Sequence, residues 1–167
     1  MSLPVIRHIQ PADNPFIATV IRRTLAEFGA NKPGTVYFDR TTDSLYELFR
    51  QQERAVYFIA VLNGEIVGGA GIYPTEGLPD DTCELVKMYL LPGARGTGLG
   101  KTLINKSLDF ARQAGFKQVY LETMPELKQA LTVYAKFGFE YLEGPMGNSG
   151  HTGCSLWMIK SLDNSGI

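Results

Sequence analysis

The feature that most constrains this chain is a glycine-spaced loop, Arg95-Gly96-Thr97-Gly98-Leu99-Gly100-Lys101-Thr102, set between a strand-like apolar run and an amphipathic helical pattern. Glycines at alternate positions remove side chains where a ligand would approach the backbone. The helix that follows supplies unbonded N–H groups and the positive end of its dipole. Such a turn suits a diphosphate, with Arg95 adding a planar, fixed positive charge. Two common phosphate loops do not fit. A G-x-G-x-x-G fingerprint needs glycine where Lys101 stands. A G-x-x-x-x-G-K-[ST] loop ends correctly at Gly100-Lys101-Thr102 but has Arg95 at its first glycine.

The surrounding pattern reads as a mixed α/β chain. Val5 to Ile9 is a first strand. Asp13 is expected to cap a helix running to about Phe28, with Phe16, Ile17, Val20, Ile21 and Leu25 on one stripe and Gly29 as its stop. The segment from Ala30 to Arg40, with Pro33-Gly34, reads as a loop lying over a site. Thr42 or Asp43 then caps a helix carrying Leu45, Leu48 and Phe49. Asn63-Gly64 joins the runs Ala55–Leu62 and Glu65–Tyr73, a strong hairpin signal. A turn over Pro74–Asp81 leads to a third strand, Thr82–Leu91. Beyond it come a helix from Gly98 to Ala114, a strand from Lys117 to Thr123, a helix from Pro125 to Phe137, and short strands at Phe139–Leu142 and Ser155–Ile159. This order predicts an antiparallel meander joined to one βαβ crossover, with the glycine loop at the strand carboxyl ends, where such sheets bind ligands.

Composition narrows the functional classes. At 167 residues the chain reads as a single domain, 1–167, and its net charge of −1 gives no bulk field toward nucleic acid or an anionic membrane. Arg22-Arg23 and Lys101/Lys106 form no basic run. Cys83 and Cys154 with His8 and His151 make no metal-ligand spacing, so no metal is expected. No apolar run approaches a membrane span and no signal peptide is read, which suggests a cytoplasmic protein.

Four features together resemble the GNAT superfamily of acyl-CoA N-acyltransferases. They are the strand Met88-Tyr89-Leu90 shortly before Pro92, the loop Arg95-Gly96-Thr97-Gly98-Leu99-Gly100, the helix ending Ala114-Gly115-Phe116, and the block from Leu131 to Phe139 with Tyr134 and Gly138-Phe139. The segment His151–Met158 is also similar to bacterial members, some of them fused to MarR-type regulators; no regulator segment is read in this sequence. The resemblance implies a GNAT fold and acetyl-CoA as the acyl donor. Main-chain groups of Met88 and Leu90, around Tyr89, would pair with the pantetheine amides. Backbone N–H groups from Arg95 through Lys101, with Thr102 beyond, would hold the pyrophosphate. Tyr134 would protonate the leaving thiolate. The asparagine that many members carry seven residues before that tyrosine is Leu127 here. Members often form dimers, so a homodimer is a possible assembly.

The chemistry implied by the resemblance also asks for a base, because an alkylammonium must lose a proton before attacking a thioester. Glu84, six residues before Leu90, is the candidate; on an unbulged strand the even separation would put the two on one face. Tyr37, Phe38, Tyr73, Glu76 and His151 are candidate linings for a small-molecule or peptide amine. Two other readings remain open on sequence: a CoA-binding module without turnover, and a nucleotide-phosphate binder using Gly100-Lys101-Thr102.

Overall fold

A computed structural model describes residues 3–150 and 152–162. Seven strands form one sheet: β1 (Val5–His8), β2 (Val56–Leu62), β3 (Glu65–Tyr73), β4 (Thr82–Leu90), β5 (Gln118–Thr123), β6 (Glu140–Leu142) and β7 (Leu156–Ser161). Their order is β1-β2-β3-β4-β5-β7-β6. β4 and β5 pair in parallel, and the neighbouring pairs are antiparallel. The β2–β3 hairpin turns on Asn63 and Gly64, both at positive φ (53° and 80°), the geometry that matches strand twist in a two-residue turn.

Four helices cover the two faces of the sheet. α1 (Asn14–Glu27) and α2 (Leu45–Arg50) bury Ile17, Ile21, Leu25, Leu45 and Phe49 against Tyr57 and Ile59. α3 (Leu99–Gln113) and α4 (Lys128–Lys136) close the opposite face, where Leu103, Ile104 and Leu108 meet Phe58, Ala60, Leu85 and Leu121. The expected order of elements holds, with differences at helix starts. Phe16 lies outside the buried stripe of α1 and is 61% exposed. Asp13 precedes α1 but does not cap it, because its carboxylate is taken by Arg7 of β1 at 2.7 and 2.9 Å and by the Gln10 amide at 2.7 Å. Neither Thr42 nor Asp43 caps α2. Residues Arg40–Ser44 form a 3₁₀ turn capped by Asp39, whose carboxylate accepts from the Thr41 amide at 3.0 Å. Thr42 instead donates to the Val36 carbonyl, and Asp43 pairs with Arg22.

The consequential departure is a bulge in β4. Between the pairs Gly69↔Tyr89 and Gly71↔Val86, β3 advances two residues while β4 advances three. Lys87 sits at the extra position with φ 51°, a left-handed conformation rare for a side-chain-bearing residue. The bulge breaks the period-2 alternation. Val86 and Tyr89 pack on the α1/α2 side, whereas Leu85, Met88 and Leu90 pack on the α3/α4 side. Glu84, in step with Val86, therefore opposes Leu90, which corrects the shared face expected from an even separation. Tyr57 fastens the bulge from below: its buried hydroxyl donates to the Lys87 carbonyl at 2.7 Å. Glycine is required beneath that ring, since a Cβ at Gly69 or Gly71 would lie 2.6 Å from its carbons.

Candidate active site

The parallel ladder between β4 and β5 runs only from Thr82↔Gln118 to Glu84↔Tyr120. Beyond it the strands part, leaving the end of β4 without a strand partner on that side. A cleft of about 490 Å³ opens there, lined by Met88, Tyr89 and Leu90, the loop residues Arg95, Gly96, Gly98, Gly100 and Lys101, and α4 residues including Tyr134. Gly96 and Gly98 have φ of 77° and 86°, so the loop turns through a conformation open to glycine without strain. A Cβ at either would meet no heavy atom within 4 Å, so both face open space. The amides of Gly96, Thr97, Gly98, Gly100 and Lys101 have no acceptor at hydrogen-bond distance among the described residues, the array an anion needs.

The remaining loop residues serve the loop's own structure. Thr97 donates to the Ala94 carbonyl at 2.5 Å, Leu99 is core, and Thr102 donates back to the Gly98 carbonyl at 3.0 Å. Arg95 lines the cleft, yet its charge is already paired. It donates to the Leu90 carbonyl at 3.1 and 2.9 Å and to Glu27 of α1 at 2.7 and 2.9 Å, with its guanidinium 5.0 Å from the Phe28 ring centroid. Its hydrogen bonds hold the Glu27 carboxyl below its usual range. Arg95 thus ties the loop to β4 and α1 while lining the cleft. Lys101, in the same cleft, makes no ion pair among the described residues.

Tyr134 projects from α4 into this cleft and is 7% exposed, with its ring edge-on to Phe139 at 5.8 Å. Burial pushes its hydroxyl well above the usual phenol range, so it stays protonated at neutral pH.

Beside α2 lies a second cavity, about 440 Å³, lined by Asp39, Thr41, Leu48, Phe49, Tyr73, Thr75, Glu76, Glu84 and Lys87 among others. A small cavity of about 40 Å³ lies between the two. It shares Tyr89 and Leu127 with the cleft and Glu84, Val86 and Lys87 with the second cavity. Glu84 is 3% exposed and accepts from Thr75 at 2.5 Å. Glu122 of β5 also lines the junction and accepts from Tyr120 at 2.7 Å and from Ser149. The Thr123 hydroxyl, buried there, has no hydrogen-bond partner among the described residues. Cys154 completes the wall; burial, then the negative Glu122 and Glu84, push its thiol up to about 12.

Three loops close over the second cavity. The Asn148 amide donates to the Glu76 carbonyl at 2.7 Å, and the Gly153 amide to the Gly34 carbonyl at 2.8 Å. Glycine pairs permit this contact: a Cβ at Gly34 would be 2.7 Å from the Gly153 nitrogen, and one at Gly77 would be 2.9 Å from the Gly147 Cα.

Of the expected acceptor linings, Tyr73 and Glu76 reach this cavity. Tyr37 and Phe38 do not; they stack on each other at 5.0 Å, and Phe38 is 59% exposed. Their loop contributes Asp39 and Thr41 instead. His151 lies outside the described residues. Lys87, Asp39, Thr75 and Glu122 escaped the sequence reading. For Glu122 a signal existed, since it sits on the inward face at the carboxyl end of β5, where the sheet opens.

The comparisons with known proteins agree with this geometry. The family model of the acetyltransferase (GNAT) family matches residues 23–139, and the chain belongs to that family. It is 44% identical over 161 residues to the uncharacterised N-acetyltransferase YjgM of Escherichia coli (strain K12), covering 95% of each chain. Its fold is similar to that of a GNAT-family acetyltransferase from Staphylococcus aureus Mu50, with a TM-score of 0.83, 18% identity, and coverage of 96% and 100%. It is also similar to yncA of Salmonella typhimurium, solved with its cofactor acetyl-CoA, with a TM-score of 0.73, 20% identity, and coverage of 98% and 96%. At these identities the two structures speak for the fold.

Proposed function

We propose that this acetyltransferase moves the acetyl group of acetyl-CoA to a primary amine by direct attack in a ternary complex. The observation that carries the proposal is that the small cavity holding Glu84 shares lining residues with both the cofactor cleft and the acceptor cavity. The diphosphate would rest on the free amides at the start of α3. The pantetheine arm would lie along the unpaired end of β4, as an added strand, and bring the thioester to the junction. Binding of acetyl-CoA by the similar Salmonella protein supports this placement.

The acceptor arrives as an ammonium. Its proton passes to Glu84, either directly or through a water in the junction, which has room for one and offers the buried Thr123 hydroxyl as an anchor. The amine lone pair then forms the C–N bond, the C–S bond breaks with its electron pair leaving on sulfur, and the surplus proton on nitrogen passes to that sulfur or to solvent, leaving a neutral amide. Tyr134 donates a hydrogen bond to that sulfur. Because burial raises its pKa, the hydroxyl serves as a donor that stabilises thiolate charge rather than as a strong acid. Cys154 stays a thiol at neutral pH, so a direct transfer fits better than a thioester on the enzyme.

Steady-state thiol release tests these roles. Tyr134→Phe should lower kcat by about 10- to 100-fold with little change in KM, and Glu84→Gln should lower kcat/KM and remove the acidic limb of its pH profile. Unchanged kcat in Tyr134→Phe, or an unchanged pH profile in Glu84→Gln, would remove that residue from the mechanism.

A further inference from the structure

Lys87 is the feature that acetyl transfer leaves unused. Its side chain is 5% exposed, stands at the β4 bulge, and lines both the junction and the acceptor cavity. Among the described residues its Nζ makes one ion pair, with Asp39 Oδ2 at 3.7 Å, which is longer than a hydrogen bond. Asp39 is already occupied through its other oxygen, which accepts from the Thr41 amide at 3.0 Å and the Thr41 hydroxyl at 2.7 Å. The charged groups around the acceptor cavity are Asp39, Glu76 and Glu84 with Lys87, and Glu122 faces the junction.

Burial lowers the Lys87 pKa, and the carboxylates of Asp39 and Glu84 raise it. In its charged form the group presents three donors, which are costly to leave without acceptors. An acceptor bearing only an amine would bring a second cation beside it and add no acceptor for them. An acceptor bearing an amine and a carboxylate satisfies both sides. Its amine faces Glu84 and its carboxylate faces Lys87, three positions along the same strand.

We infer that the acceptor is a free amino acid, held by its carboxylate on Lys87 and presented to Glu84 by its amine, with its side chain against Leu48, Phe49 and Tyr73. The interlocked loops over the cavity agree with a small acceptor, and a peptide N-terminus lacks the adjacent carboxylate. The inference rests on the acetyl-transfer reading above and narrows its acceptor.

The test uses the full chain, saturated with CoA for calorimetric binding and with acetyl-CoA for thiol release. The probes are the standard amino acids, their carboxamides and their decarboxylated amines. At least one amino acid should bind and turn over about 10- to 100-fold better than its amide, the factor expected for a buried charge-assisted hydrogen bond. Lys87→Met should slow turnover of the amino acid more than that of its amide, removing most of that preference, and Lys87→Arg should retain part of it. No amino acid outperforming its amide and its amine in the wild-type protein would overturn the inference, and that comparison needs no variant. Equal losses for all acceptors in Lys87→Met would also overturn it, by making Lys87 a support of the bulge alone. Acetyl-CoA affinity on the same preparations separates the two levels. Absent binding refutes acetyl transfer itself, whereas normal binding with amides preferred refutes only the amino-acid acceptor.

Discussion

Replacing Tyr57 by Phe removes one oxygen, and that oxygen holds the bulge on which the site depends. The hydroxyl donates to the Lys87 carbonyl at 2.7 Å, and the ring is 1% exposed, so no bulk water can take its place. Burial pushes this hydroxyl far above the ordinary phenol range, so it is a neutral donor at any working pH. Losing a neutral hydrogen bond and stranding the buried carbonyl costs about 1–3 kcal/mol. For a domain of this size each kcal/mol moves the unfolding midpoint by about 2–4 °C, so the variant should melt roughly 2–12 °C lower. Urea unfolding should show a lower midpoint with an unchanged slope. The kinetic consequence is the sharper test. With the bulge loosened, Lys87, Glu84 and Tyr89 lose their common frame, and small displacements of reacting groups cost rates heavily; kcat/KM should fall by roughly 10-fold or more. Acetyl-CoA affinity should change little, because the glycine loop is held separately through Arg95. Destabilisation with intact kcat/KM would refute the claim that the bulge positions the chemistry. Unaltered stability would refute the hydrogen bond itself.

Two further predictions concern the cleft and the junction. Gly98 has φ 86° and its Cβ would meet nothing within 4 Å, so Gly98→Ala should cost only the left-handed backbone penalty, about 1–2 kcal/mol, while its methyl intrudes on the anion site; acetyl-CoA should bind roughly 10-fold more weakly in calorimetric titration, and unchanged affinity would move the diphosphate elsewhere. Cys154 and Cys83 have thiols pushed up to about 12, against about 8.5 unfolded, so at pH 8 iodoacetamide should label the native protein roughly 1,000-fold more slowly than the urea-unfolded chain; rapid native labelling of Cys154 would mean a thiolate is stabilised at the junction.

What the sequence disclosed and what it withheld separate along the range of the interactions involved. The glycine loop, the Asn63-Gly64 hairpin and the Tyr134 block are local patterns, and each formed where the residues indicated. The partner of Arg95 was not legible, because Glu27 lies 68 positions away and meets it only after α1 packs on the sheet. The bulge was hidden for the same reason. Its cause is the register of β3 against β4 and a tyrosine on β2, so the face on which Glu84 would emerge could not be counted from residue parity. Lys87 carried no signal in the sequence, because only the bulge turns it into the acceptor cavity. Tyr37 and Phe38 were expected to line that cavity, yet the 3₁₀ turns of their loop present Asp39 and Thr41.

The measurement closest to the central claim is thermal unfolding of the protein alone, with acetyl-CoA, and with ATP–Mg²⁺. One-site binding at a hundredfold excess over Kd adds about 2.7 kcal/mol, which at this size should raise the midpoint by roughly 5–10 °C with acetyl-CoA and leave it in place with ATP–Mg²⁺. A midpoint unmoved by acetyl-CoA, or raised by ATP–Mg²⁺ instead, would contradict the assignment of the glycine-loop cleft to acetyl-CoA.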